Sequence, residues 1–410
     1  MVLLAPATSY RIADFLNAAR ALDVGVTVGS NHRQTLEALS CGGTMTVDLT
    51  NCERGVAQIV EFDRDKPIAA IVAIDEGATI VAAAASETLG LPHNSLASVV
   101  AAGNKHRMRV ALRDSGLASP KFSIAALDDG HKAAMRHTNY PCVLKPLSLS
   151  ASRGVIRAND DVEFVAAFTR IAAMLRPTPE TLRGETTDYI LIEDYIPGAE
   201  VAVEGLLEDG NLHTLALFDK PDPLEGPFFE ETIYVTPSRL VDADQKSISQ
   251  TVRQAAAALG LCDGPIHTEL RLPPGDPVVI DIAARSIGGL CSRALRFGTG
   301  IGLEELILRH ALRLPIETFE RVRSAAGVMM IPIPHGGVLG HIGGRDDANA
   351  VPGIEEVAIT IPMGHKVVPL PEGNRYLGFI LARGETAAEV EDSLRQAFRR
   401  LRIMIDLDVV

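Results

Sequence analysis

Three groups of residues have types and spacings that could do chemistry. Lys145 closes the apolar run Pro-Cys-Val-Leu-Lys, and Ser148, Ser150, Ser152 and Gly154 follow within nine residues. Small residues let the backbone approach a phosphate, whose charge main-chain N–H groups and a lysine can balance. A surface lysine beside an ordinary loop would look the same. Glu193 and Glu200 stand at the two ends of a bend at Pro197-Gly198. One carboxylate could accept from a purine amino group and the other from two ribose hydroxyls; a solvated acidic turn is the alternative. Glu269 and Asp281 lie in two apolar runs joined by Pro-Pro-Gly-Asp. Across such a hairpin, two carboxylates could offer hard oxygens to Mg²⁺ beside substrate phosphates. Arg285, four residues on, could stabilise charge developing on a transferred phosphoryl group or a tetrahedral carbon. A cross-strand ion pair is the bland reading. It is weakened by the apolar run around Asp281, where an unpaired carboxylate is costly.

These residues need elements to position them. Up to about residue 103, strand-like runs (2–6, 24–28, 46–48, 68–74) alternate with helical spacing (10–22, 35–39). That alternation predicts a parallel sheet covered by helices, a Rossmann-like layer. No GxGxxG follows its first run, so dinucleotide binding there has no support. The next stretch predicts a helix over 105–115, a strand over 140–145, a helix over 161–174 and a strand over 189–195. A hairpin, 201–207 with 213–218, follows around Glu208-Asp-Gly-Asn211, then a loop over 221–231. An amphipathic helix, 247–259, stops at Gly260, ahead of strands 267–272 and 278–282 and a helix over 303–312. Beyond about 325, strand-like runs 328–333, 357–360 and 377–382 and a closing helix 387–400 predict a small α+β appendage.

Composition narrows the classes. At about 150 residues per domain, 410 residues suggest two or three domains, and 47% hydrophobic with 22% charged residues rules out a mostly disordered chain. The net charge of −13 argues against a nucleic-acid or polybasic membrane surface, and the absence of Trp leaves little for base stacking. Cys41, Cys52, Cys142, Cys262 and Cys291 are odd in number with no CxxC, which fits a reducing compartment and no structural zinc. The first residues, MVLLAPATSYRIADF, have no basic region before their apolar stretch, and the apolar run 68–85 is broken by Asp75-Glu76-Gly77. A cytoplasmic protein without a membrane span is therefore expected. Histidines show no HExxH spacing, no GxxxxGK[ST] occurs, and Cys291 has no surrounding His/Asp pattern, so it reads as a packed thiol.

Taken in order, the motifs read lysine, lysine with a small-residue loop, Glu-x6-Glu, then Glu and Asp on a hairpin followed by Arg. This order resembles the ATP-grasp superfamily from about 104 to 312. The resemblance implies an α/β and α+β ATP-grasp fold: a Rossmann-like domain over 1–103 and an ATP-grasp domain over 104–318. Within the latter, a small lid subdomain would span about 118–195 and a large one about 196–318; an α+β ligase domain would span 319–410. It also implies that Lys105 and Lys145 contact phosphates and that loop 148–155, with Ser150, Ser152, Gly154 and Val155, forms a lid over them. Glu193 and the backbone around Ile196 would contact adenine, Glu200 the ribose, and Glu269 and Asp281 would bridge Mg²⁺ (or Mn²⁺) to ATP. Most ATP-grasp enzymes carry Glu-x-Asn as the second metal element, and here it reads Asp281-Ile-Ala283. In that respect, in His267-Thr-Glu269 and in Phe218-Asp-Lys220 and Glu231–Pro237, the chain is similar to the L-amino-acid ligases of the alanine–anticapsin group. Met329–Pro334 and Leu370–Gly378 resemble the C-terminal domain of such ligases.

The resemblance implies a ligase that joins an amino acid, or a related carboxylate, to an amine through an acyl phosphate, releasing ADP and phosphate. Arg285 would stabilise the tetrahedral oxyanion, Glu231 would bind a substrate amino group, and Lys220 would join the nucleotide-binding set. Small-molecule partners and a homodimer are expected, with no nucleic acid and no membrane. Tyr234 and Gly289 replace a His and a bulky aromatic of the group, which leaves the substrates open. Two other functions fit the same motifs: bicarbonate or formate activation, and nucleotide binding without turnover in a regulatory protein.

Overall fold

The computed structural model describes residues 1–32, 42–136, 138–178 and 183–407. The helix expected at 35–39 lies outside the described residues. The N-terminal body is a four-stranded parallel sheet, in the order Thr44–Thr46, Thr27–Ser30, Val2–Leu4, Ile71–Ala73. Helix Ile12–Ala21 packs on it through Ile12, Phe15, Leu16 and Ala19, the stripe that its spacing predicts. The second strand begins at Thr27, three residues later than its apolar run, because the Val24 N–H still closes the end of the helix on the Ala19 carbonyl at 2.9 Å.

A second sheet forms the lid. It is antiparallel, in the order Phe122–Ala126, Tyr189–Asp194, Cys142–Pro146, Ile156–Ala158, and helix Asp161–Leu175 covers one face through Phe164, Phe168, Ile171 and Leu175. Its register matters for function: Val143 lies opposite Glu193, and Lys145 opposite Leu191. With a side-chain period of two, Lys145 and Glu193 therefore share a face.

The third sheet departs from expectation. Eight antiparallel strands run in the order Val278–Ala283, Gly264–Leu272, Ala199–Glu208, Asn211–Lys220, Ile233–Thr236, Ala325–Ile331, Gly378–Gly384, Ile354–Ile359. The segment after 318 is thus no separate appendage: three of its strands continue the sheet of the preceding domain. The joint is Ile233–Thr236, four buried residues that pair with Asn211–Lys220 on one edge and Ala325–Ile331 on the other. A strand buried on both edges needs partners that lie far away in sequence, which local pattern does not disclose. Helix Asp242–Leu259 packs under one end of this sheet, and helix Ala387–Arg400, started by a Thr386/Glu389 capping box, under the other. A three-stranded sheet, Lys366–Val367, Gly337–Gly343 and Arg402–Asp406, completes the C-terminal part. Among the described residues no helix is long and apolar enough to cross a membrane.

Ile380 is fully buried between the shared sheet and helix Ala387–Arg400. Ile380→Ala is expected to lower unfolding free energy by about 2–5 kcal/mol. Because the sheet is continuous, loss of nucleotide binding should coincide with the far-UV transition in a urea titration. Two separated transitions would contradict the joined architecture.

Candidate active site

Helix Lys105–Asp114 begins where it does because the Asn104 side chain accepts from the N–H groups of His106 and Arg107 at 3.0 and 3.2 Å. Starting there, it buries Lys105, Met108, Arg109 and Leu112 on one face, and the two cations stand one turn apart. Lys105 Nζ reaches the Asp281 carboxylate at 3.2 and 3.3 Å and the Leu149 carbonyl of the lid loop at 3.3 Å. Arg109, fully buried, donates through Nε to Glu193 at 2.7 Å and also to the carbonyls of Val279 and Ile280. It thereby ties the lid sheet to the large sheet.

Glu193 also pairs with Lys145. Burial alone would raise its carboxyl, but Arg109 and Lys145 hold it down to about 2. Desolvation pulls the Lys145 ammonium below its ordinary value, against the attraction of Glu193. The solvated acidic turn is excluded. Glu200 is likewise buried, with one oxygen 2.6 Å from Lys220 Nζ and the other 2.8 Å from Arg271 Nε.

The large sheet supplies the floor. His267, Glu269 and Arg271 alternate on strand Gly264–Leu272 and all face the cavity, and Glu269 lies directly opposite Asp281 on the adjacent strand. Two carboxylates opposed on neighbouring strands fit a hard divalent cation. Beneath them, Lys220 Nζ stands 2.6 Å from Glu200, 2.5 Å from Glu231 and 3.6 Å from Glu269. Oxygens of these three acids converge within 4.8 Å, a metal-like cluster whose centre the ammonium already fills. Desolvation and the neighbouring Glu269 raise the Glu231 carboxyl to about 7 against the pull of Lys220; Lys220 and His267 hold Glu269 well below the ordinary range despite its burial.

Two cavities meet here. The first lies between lid and floor, lined by Lys105, Lys145, Ser150, Ser152, Val155, Glu193, Ile196, Glu200, Glu231, Glu269, Asp281 and Arg285, with apolar walls from Val143, Phe229 and Ile280. The second is lined by the acids Asp75, Glu76 and Glu231 and by Tyr10, Cys291, Met330 and Phe379. They share Ser150, Ala151, Glu231, His267, Glu269 and Arg285.

Two expected site residues do not line either cavity. Lys220 is caged by its three carboxylates, because a buried ammonium must be neutralised locally. Gly154 shapes the loop: its φ is +71° and a Cβ would meet Pro146 at 2.6 Å. Glu193 lines the first cavity, but both its oxygens are engaged with cations, so its side chain anchors Lys145. Cys291 is a packed thiol, 3.6 Å from the Met330 sulfur and pushed up by burial.

Arg109, Arg271 and Glu76 were not anticipated. The first two were findable, at i+4 from Lys105 on a helix and i+2 from Glu269 on a strand. Glu76 comes from the N-terminal body and holds Arg285 Nε at 3.1 Å, a contact across 209 positions that no spacing reveals.

A family described as an ATP-grasp domain matches residues 138–294. Residues 138–294 thus form an ATP-grasp domain. On either side of that domain, an ATP-grasp N-terminal domain matches 16–93 and an L-amino acid ligase C-terminal domain 2 matches 329–406. The crystal structure of an L-amino acid ligase from Bacillus licheniformis superposes with a TM-score of 0.86 at 27% identity, over 99% of this chain and 98% of that one. The chain is also 28% identical over 271 residues to the alanine–anticapsin ligase of Bacillus subtilis (strain 168), covering 62% of this chain and 56% of the relative. It is 28% identical over 225 residues to the dapdiamide A synthase of Enterobacter agglomerans, covering 54% of this chain and 51% of the relative. The chain thus spans about half the length of these curated relatives.

The Glu193 anchor makes a testable demand on stability. Its folded value lies below the 4.5 of an ordinary glutamate, so the stabilisation is fully present above pH 4.5 and is lost as pH falls towards 2. The shift corresponds to about 3 kcal/mol. Arg109→Met, which leaves the carboxylate buried with one partner fewer, should lower unfolding free energy at pH 7 by about 3–5 kcal/mol. In guanidinium titrations the gap to wild type should narrow below pH 4.5; a gap independent of pH would contradict the anchor.

Proposed function

We propose that the protein is an ATP-dependent carboxylate–amine ligase, joining an amino acid or related carboxylate to an amine, with a second amino acid as the favoured acceptor. The observation that carries this reading is the pair of cavities meeting at Glu269 and Arg285. One is lined by cations and the small-residue loop, as a nucleotide requires; the other has acids for an amino group and an apolar wall for a side chain. The likeness to an L-amino acid ligase over nearly the whole chain supports it.

In this reading Lys105, Lys145 and loop residues Ser150, Ser152 and Val155 face the phosphates, with Gly154 allowing the loop its turn. Val143, Ile196 and Ile280 enclose the base, and Glu200, fixed by Arg271 and Lys220, faces the ribose. Glu269 and Asp281 hold Mg²⁺ (or Mn²⁺), which when bound neutralises the triphosphate. The substrate carboxylate attacks the γ-phosphorus, giving an acyl phosphate and ADP. The amine then attacks the acyl carbon, losing a proton, and phosphate leaves. Arg285, held by Glu76, meets the oxyanion at the tetrahedral carbon. Glu231 receives a substrate amino group. The free thiols Cys52, Cys142, Cys262 and Cys291 agree with work in the cytoplasm, and a homodimer is the assembly we favour.

Phosphate release from MgATP with pooled L-amino acids, with nucleotide products resolved, tests this. Amino-acid-dependent ADP with a new amide mass is expected. AMP with pyrophosphate would contradict the acyl phosphate. Glu269→Gln should abolish turnover, and Arg285→Met should lower kcat about 10²–10³-fold with little change in ATP affinity.

A further inference from the structure

The lid loop does not hold its shape alone. Ala151 and Ser152 have φ of 56° and 54°, a left-handed conformation that L residues adopt at a cost. The bonds that follow come from the C-terminal part of the chain. Gly154 donates its N–H to the Pro371 carbonyl at 2.8 Å, and Arg153 Nε donates to the Glu372 carbonyl at 2.9 Å. The Glu372 carboxylate takes both arms of Arg170 on the lid helix, one through Nη2 at 2.8 Å. Segment 371–376 thus grips the lid loop and the lid helix at one end. At its other end, Asn374 and Tyr376 line the second cavity. Loop residues Ser150 and Ala151 line both cavities.

We propose that Glu372 is a positioning residue: its pairing with Arg170 holds the lid loop closed over the junction of the two cavities, excluding water from the acyl phosphate. The proposal rests on the ligase reading above, since only a water-sensitive intermediate makes lid position count for product yield. It adds a role for a residue that touches neither substrate. The pair is partly exposed, at 43% and 35% of the side chains, so it contributes little to global stability. Its bidentate geometry instead fixes where the loop sits.

The test uses the full chain with Glu372→Ala, Arg170→Ala and the exchanged pair Arg170→Glu/Glu372→Arg. Two readouts are followed: the ratio of phosphate released to amide formed, and the rate of tryptic cleavage after Arg153 with and without MgADP. Both single variants should melt within a few degrees of wild type, raise the phosphate-to-amide ratio and accelerate cleavage about fivefold, the population change that a pair of this exposure supports. The exchanged pair should restore both. Unchanged ratio and cleavage in the single variants, with native melting, would overturn the proposal. If wild type forms no amide from any amino acid, the ligase reading fails. Cleavage then decides the lid's positioning by itself: acceleration in both single variants upholds it, and wild-type rates overturn it.

Discussion

Everything in the site depends on charge balanced out of water. Glu193 is buried with two cations, Arg109 and Lys145, so this cluster carries an excess of one positive charge. On the floor, Glu200, Glu231 and Glu269 surround Lys220, with Arg271 on Glu200; because burial raises the Glu231 carboxyl to about 7, these three acids come close to balancing the two cations. Neither cluster would survive burial unless each ion had hydrogen-bonding partners. The consequence is a gap with Lys145 on its roof and the Glu269 and Asp281 carboxylates on its floor. A polyphosphate carrying a divalent cation would be complementary to that arrangement, with its anionic oxygens towards the lysine and its cation towards the carboxylates.

The same balance explains how separate elements are held in register. Arg109 sits on a helix that packs under the large sheet, yet its guanidinium joins Glu193 of the lid to main-chain carbonyls of strand Val278–Ala283. Arg285 is fixed from a third direction by Glu76 of the N-terminal body. The Rossmann-like layer therefore serves the site: it closes the second cavity with Tyr10, Asp75 and Glu76.

Local pattern disclosed what local pattern determines. Helix Lys105–Asp114, the two central lid strands Cys142–Pro146 and Tyr189–Asp194 and the hairpin of Glu269 and Asp281 were legible because their periodicity, caps and turns lie within a few residues of one another; the outer lid strands Phe122–Ala126 and Ile156–Ala158 were not. The residue order lysine, lysine, Glu-x6-Glu, Glu, Asp, Arg made the family legible as well. Hidden were the facts that need two distant segments at once. Strand Ile233–Thr236 bridges two parts of the chain only because Ala325–Ile331 meets its far edge. Lys220 looked like a ligand-facing lysine, and became a buried counter-ion only once three acids closed around it. Glu372 stood in a motif read as family likeness, with nothing nearby to say that its partner is Arg170.

Ala283, the clearest departure from the usual second metal element, has a physical counterpart in the structure. It lies directly across the strand pair from His267, and directly opposed side chains on an antiparallel pair stand about 4.5–5.5 Å apart at Cβ. His267 fills that space, with Nδ1 3.2 Å from the fully buried Glu204 and Nε2 3.6 Å from Glu269. Glu204 in turn accepts the Ile287 N–H at 3.0 Å, anchoring the imidazole to the segment that follows Arg285. A larger polar side chain at 283 would compete with the ring for this position. The small residue and the histidine thus form one solution: Glu269 is oriented from its own strand through His267, and the floor keeps its geometry without a third polar group on the neighbouring strand.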